Sequence, residues 1–137
     1  EFIAATERVA HELVKHVGPD GRMPGRFARG WEPSAPWACL AGMAQMSLVW
    51  QRLQELEAVV IVEDDGLRFL GAGNRVNAFL MRTDDRESRG KALRGGLRGS
   101  YPVSGSYERW RVSTLSTKYF IDALMKEVPG AQLPFHY

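Results

Sequence analysis

Residues 31–53 read WEPSAPWACLAGMAQMSLVWQRL, with two tryptophans, a pair of prolines, the only cysteine and then a run that is apolar on almost every side. A surface helix carries one apolar stripe at i, i+3, i+4 and i+7 and a polar face opposite. The run that follows Pro36 has no such opposite face, so it predicts a helix over 35–56 whose first turns are enclosed by other elements. Ser34 is a plausible N-cap. Only near Gln51, Arg52, Gln54 and Glu55 does the pattern turn amphipathic. Gln45, in the middle of the apolar half, needs a partner or a wet cavity if the helix is surrounded.

Working outward from this helix, the chain supplies further ones. Over 2–17, Phe2, Ile3, Val9, Ala10, Leu13, Val14 and Val17 recur at helical spacing with Glu7, Glu12 and Lys15 between them. The turn residues Gly18-Pro19-Asp20-Gly21 end that helix, and Pro24-Gly25 and Pro33 keep the connection irregular. Leu67, Leu70, Val76, Phe79 and Leu80 predict a third helix over 65–82, with Gly71 and Gly73 marking close packing. Val112, Leu115, Tyr119, Phe120, Ala123 and Leu124 predict the inward face of a fourth over 111–128, stopped by Pro129-Gly130, with Lys118, Asp122 and Lys126 off that face. The β-branched run 58–62 reads as a short strand, and 83–110 has no period at all. Connections that long in a compact domain tend to be functional or disordered. The tail to Tyr137 is expected to pack irregularly.

The fold class predicted is therefore all-α, built from antiparallel helical hairpins with long loops entering two of the helices. At 137 residues there is room for one core. A net charge of +2 gives no basis for a nucleic-acid partner. No apolar run approaches the roughly 20 residues of a membrane span. A single cysteine excludes an internal disulfide framework and, with three scattered histidines, gives no zinc spacing. A soluble cytoplasmic protein with no cofactor and no metal is the expectation.

The order of motifs, PDGRMPGRF, WEPSAPWACLAGMAQMSLVWQRLQEL, LRGGLRGSYPVSGSY and STKYFIDALMKE, resembles bacterial and archaeal prenyltransferase-like or squalene-oxidase-like α/α-toroid proteins of the terpenoid cyclase-like six-hairpin superfamily. The segment with Cys39, Leu40, Gly42, Ala44, Gln45 and Met46 carries most of it. PDGRMPG is also similar to the Gln-x-x-Asp-Gly-x-Trp repeat of triterpene cyclases, although Val17 and Met23 stand where its Gln and Trp belong, which removes the stacking pair. The resemblance implies outer helices 2–17 and 65–82, inner helices from 35 and 111, and loops into the inner helices that line the mouth of a central cavity. At roughly 40 to 50 residues per helical hairpin, 1–137 would be one helical domain forming the terminal part of a larger toroid.

Under that resemblance the substrate-binding residues are Trp31, Glu32, Trp37, Gln45, Arg98, Tyr101, Tyr107 and Lys118, at the cavity ends of the inner helices or in the loops that feed them. Indole faces stack on sugar rings or stabilise carbocations, and a carboxylate accepts hydroxyl groups; the same two tryptophans could equally plug the core where the loop crosses it. Arg82, Arg86, Arg89, Lys91, Arg94 and Arg98, interleaved with glycines, could hold a diphosphate or an anionic glycan, or form a solvated loop diluted by Asp84, Asp85 and Glu87. Glu63-Asp64-Asp65 is explained by an acidic helix start, and Cys39 by a small buried hydrophobe. No catalytic residue is identified. The resemblance implies a module that binds or acts on a glycan or isoprenoid-linked substrate, including an isoprenoid diphosphate, in envelope polysaccharide metabolism. The alternative is a non-catalytic helical-repeat module for protein assembly, by self-association or with the remainder of a longer chain.

Overall fold

The computed structural model describes residues 2–57, 65–84, 90–91 and 93–128. Among them the helices are α1 (Phe2–Val14), α2 (Leu40–Glu57), α3 (Asp65–Thr83) and α4 (Thr114–Glu127), and two short strands, β1 (Ala38–Cys39) and β2 (Ser100–Tyr101), pair antiparallel with Ala38 opposite Tyr101 and Cys39 opposite Ser100. The described chain is thus predominantly helical. None of its helices is long and apolar enough to cross a membrane. The run 58–62, Glu63 and Asp64, Arg86 and Arg89, and the tail from Pro129 lie outside the described residues.

α2 is the centre of the molecule, with α3 and α4 packed along it. Trp50, Leu40, Ala44, Phe69, Val76, Leu80 and Leu97 are among the fully buried residues of one core. Trp50 also donates its indole N–H to the Ala10 carbonyl at 3.1 Å, which pins α1 across α2 at that point. Burying the indole without this bond would strand a polar group in the core. Gly73 faces Ser47 and Gln51 of α2, and a Cβ there would sit in ordinary contact, 3.4 Å from Ser47 Oγ.

α2 begins at Leu40, later than the 35–56 expected, because 35–39 is drawn into loop and strand. Ser34 accordingly caps nothing here: its N–H donates back to the Arg26 carbonyl at 2.9 Å, inside the preceding loop. Gln45 turns out to be exposed. It lies on the solvent edge of α2 and does not present the problem of a polar residue in an enclosed helix. That problem belongs to Ser47 and Gln51, which are 0% and 4% exposed although the pattern placed Gln51 on an amphipathic face.

The answer lies in side-chain hydrogen bonds. Gln51 Nε2 donates to Ser47 Oγ at 3.0 Å and to the Ala123 carbonyl of α4 at 3.2 Å. Asn77 Nδ2 of α3 donates to the same carbonyl at 3.3 Å and to Glu127 Oε1 at 2.7 Å. The three helices therefore meet along a polar seam. This seam also rotates α4 from its expected setting. Phe120 and Ala123 face inward as predicted, but Ser116 and Asp122 are buried while Leu115 and Ile121 are each about half exposed. Asp122 is tolerated inside because Lys118, one turn earlier, donates to it at 2.5 Å.

The start of α1 departs from its pattern too. Ala10 and Leu13 are buried, yet Phe2 and Ile3 are 91% and 63% exposed. They flank an open apolar groove of about 380 Å³ whose other wall is Leu48, Val49, Leu53 and Leu56 of α2.

Candidate functional site

Two loops, 15–37 and 97–113, lead into α2 and α4, and the structure ties them together. In the first, the Gly18 carbonyl accepts from Gly21 N–H at 2.9 Å and Asp20 Oδ1 accepts from Arg22 N–H at 3.0 Å, the turn that the Gly-Pro-Asp-Gly sequence predicts. Gly21 has φ 87°, and a Cβ on it would fall 2.0 Å from the Arg75 carbonyl oxygen, so only glycine lets this turn sit on α3. Further on, Phe27 bridges Pro33 and the Ala28 N–H donates to Glu32 O at 2.8 Å around a single 3-10 turn, Arg29–Trp31.

The second loop folds back on itself. Ser113 N–H donates to Leu97 O at 2.9 Å, Arg98 bridges Val112, Gly99 N–H donates to Arg111 O at 3.2 Å, and Ser100 Oγ donates to Tyr107 O. At its base, Ser113 caps α4 by accepting from Ser116 N–H at 3.2 Å, and Thr117 Oγ1 accepts from Leu97 N–H at 2.9 Å. The period-free stretch is thus an ordered hairpin-like loop over its described part from Leu97 onward. Its polar, glycine-rich composition serves backbone pairing and leaves no hydrophobic period to find.

The loops join through the β1–β2 pair, through Leu40 N–H donating to Gly99 O at 3.0 Å, and around Trp37. A Cβ on Gly25 would stand 2.4 Å from the Trp37 ring, and one on Gly105 would stand 2.9 Å from Trp37 Cβ. The indole is therefore clamped between the two loops, with the Arg26 guanidinium 5.9 Å from its centroid. Tyr101 sets its ring edge-on to Phe79 of α3, with centroids 5.4 Å apart and 89° between planes, while remaining 43% exposed.

Trp37, Tyr101 and Tyr107 of the expected set are brought into this joined layer. Trp31 and Glu32 belong to the 3-10 turn of the first loop, where Trp31 is half-buried and packs edge-on against Phe27 at 6.1 Å, and Glu32 is exposed. Arg98 stands in the paired base of the second loop. Gln45 and Lys118 are on the bodies of α2 and α4, and Lys118 is engaged by Asp122 with its ammonium 5.0 Å from the Tyr119 centroid. Of the basic cluster, Arg82 is held at the other loop, donating to Asp20 O at 2.6 Å and lying 5.7 Å from the Phe79 centroid.

Sequence reasoning missed Glu108 and Trp110. Among the described residues, the non-glycine positions with left-handed backbone are Trp31 at φ 65°, Glu108 at φ 45° and Trp110 at φ 61°. All three are in these loops, and Trp110 is 66% exposed. Bulky residues held in that region cost about 1–3 kcal/mol each and cluster where a side chain has to be aimed. Nothing in the letters Glu-Arg-Trp foretells a left-handed backbone, because the residues that normally mark it are Gly and Asn.

Two of the site's ionisable groups are shifted, both toward the protonated form. Burial, reinforced by the Glu108 carboxylate, raises the Cys39 thiol above its ordinary value despite backbone N–H groups of Gly42 and Ala41 that oppose it. Burial, and then Glu108 and Cys39, raises the Tyr107 phenol likewise. Both groups stay protonated at neutral pH, so the thiol is a poor nucleophile. No group of three or more His, Cys, Asp or Glu that could hold a metal is found among the described residues.

Compared with protein-family models, with characterised proteins and with solved structures, the chain matches none.

Proposed function

We propose that this chain is a module of α/α-toroid type whose loop end binds a glycan or isoprenoid-linked substrate in envelope polysaccharide metabolism. The observation that carries the reading is the set of strained aromatic positions: Trp31 and Trp110 adopt a left-handed backbone in two loops that are fastened to each other. Strain of this kind persists only when surrounding structure over-determines it. Here the Trp110 N–H donates to Val103 O at 3.0 Å and the Trp31 N–H to Ala28 O at 3.2 Å, within the paired loops. Indole faces stack on the C–H faces of sugars, and the neighbouring Glu108 carboxylate and Tyr101 phenol supply hydrogen-bonding groups for hydroxyls. No reaction is assigned to this end.

The test is a tryptophan-fluorescence titration with cellohexaose and maltohexaose as neutral glycans and geranylgeranyl diphosphate as the isoprenoid probe. Saturable change with one class, lost in Trp110→Ala, is the expected result. Linear or absent response to both classes at millimolar ligand overturns the reading.

A second reading, assembly through helix faces, rests on a separate observation. Phe2 and Ile3 on α1, Leu115 and Ile121 on α4, and the α1–α2 groove present apolar surface of the kind that stacked helical repeats bury against neighbours. Light scattering that gives a mass above that of one chain, lowered by Phe2→Ser with Ile3→Ser, supports it. A monomer at all concentrations removes it.

A further inference from the structure

At the end opposite the loops, a cleft of about 390 Å³ opens between the closing turns of α2 and α4 and the first half of α3, within the size range of small-molecule sites. Its walls carry Gln51, Gln54 and Glu55 from α2, Asn74 from α3, and Lys126 and Glu127 from α4. We infer that this cleft binds a small, uncharged, hydroxyl-rich molecule of the monosaccharide or polyol class.

Charge is the first argument. Glu55 accepts from Lys126 Nζ at 2.5 Å and from Arg52 Nη1 at 2.8 Å, so the ammonium in the wall is already matched by a carboxylate. An anion would face Glu55 and Glu127, and a cation would have to compete with Lys126 for Glu55. What remains to read a ligand is the amides of Gln54 and Asn74 with the Glu127 carboxylate, since both protons of the Gln51 amide are taken by Ser47 and Ala123. Amides offer a donor and an acceptor side by side, the pairing that a hydroxyl group satisfies from both sides. Leu70 adds one apolar contact for a carbon face.

The layer beneath the cleft supplies an independent observation. Asn77, one turn beyond Asn74 and 0% exposed, points its amide nitrogen at two acceptors, the Ala123 carbonyl and Glu127 Oε1. Turning the amide over would set oxygen against oxygen, so its orientation is fixed. Its Oδ1 is thereby left buried without a hydrogen-bond partner. Asn77 does not line the cleft; its bond to Glu127 Oε1 instead holds in place a carboxylate that does, so the seam fixes one of the groups a ligand hydroxyl would meet.

The experiment is an NMR titration that follows the side-chain amides of Gln51, Gln54, Asn74 and Asn77 in the intact chain. Glucose is the neutral probe, putrescine the cationic one and inorganic phosphate the anionic one. Saturable shifts with glucose at a dissociation constant of about 1 mM, a modest affinity for a cleft this polar, are expected at these amides and not at the Trp110 indole. Gln54→Ala and Asn74→Ala, at half-buried and exposed positions where folding is not at stake, should each weaken that binding about fivefold or more. Shifts that stay linear to about 100 mM glucose, or that survive unchanged in both variants, overturn the proposal, as does tighter binding of putrescine or phosphate. Because the loop-end tryptophans are read separately, failure here and failure of the loop-end proposal are distinguishable.

Discussion

Where α2 and α4 begin, backbone groups hold the molecule together; where they finish, side chains do. At the loop end, β1 pairs with β2, glycines admit a clamped indole, and three residues accept unfavourable backbone angles, two of them, Glu108 and Trp110, at exposed positions. At the seam end, Gln51 and Asn77 converge on the Ala123 carbonyl, Ser47 accepts from Gln51, and an ion pair from Lys126 to Glu55 closes the rim. The difference separates two ways of being specific. The first end fixes side-chain direction through geometry that few substitutions tolerate. The second fixes helix register through hydrogen bonds that can be exchanged or completed by other polar groups.

The sharpest way to break the comparison is at Gly25. Gly25→Ala places a Cβ 2.4 Å from the Trp37 ring and 2.7 Å from its carbonyl oxygen, so either the indole or the loop has to move. We expect a loss of about 2–3 kcal/mol in chemical denaturation, the range of overpacked cores. A loss below about 0.5 kcal/mol would mean that the loop end is not geometrically determined.

A smaller effect is expected at the seam. Gln51→Ala removes two hydrogen bonds but leaves the Ala123 carbonyl its bond from Asn77, so denaturation should show a loss of about 1–2 kcal/mol. A loss as large as that of Gly25→Ala would show that the two ends do not differ in their tolerance of substitution.

How much of this was legible beforehand follows from the same contrast. α3, with Val76, Phe79 and Leu80 inward, was readable because hydrophobic residues packed its face and their spacing is what a period reports. The face of α4 was only half readable. Ser116 and Asp122 go inside for hydrogen-bonding reasons, and no periodicity records the position of a partner on another helix. Trp37, Tyr101 and Tyr107 could be nominated as site residues from residue type alone, whereas Glu108 and Trp110 could not, since their distinction lies in backbone angle. Gln45 drew notice for standing in an apolar run, yet it faces solvent; Gln51, set among charged residues, is the one enclosed.

Acid provides a milder probe of the seam rim. Burial acts to raise the Glu55 carboxyl, but hydrogen bonds and charge from Lys126 and Arg52 outweigh it and leave the group below the usual glutamate value. A depressed carboxylate contributes stability that is fully present above the unfolded value of about 4.3 and is lost as pH falls through the lower folded one. Because Glu55 is 44% exposed, screening keeps the contribution to a few tenths of a kcal/mol. Glu55→Gln should flatten that part of the stability curve between about pH 5 and pH 3; an unchanged curve would show that the ion pair is idle.

The smallest expected change is in some ways the most discriminating. Trp110→Gly relieves a left-handed backbone while loosening the unfolded chain, two effects of about 1 kcal/mol that oppose each other. Stability within about 0.5 kcal/mol of the parent, together with loss of glycan-dependent fluorescence change, is expected. A marked destabilisation would assign Trp110 to holding the loop and not to presenting a surface.

The pairing of Ala38 with Tyr101 also carries a kinetic consequence. These partners are separated in sequence by the whole of α2 and α3, and pairing across so long a connection costs loop-closure entropy before it is rewarded, which slows folding. The seam contact between Gln51 and Ala123 spans a longer stretch still, so both ends of the molecule rest on remote contacts and neither forms from local sequence alone. A chain whose helices form without these closures would lack the joined loops, so the proposed ligand capture at the loop end doubles as an assay for completed folding.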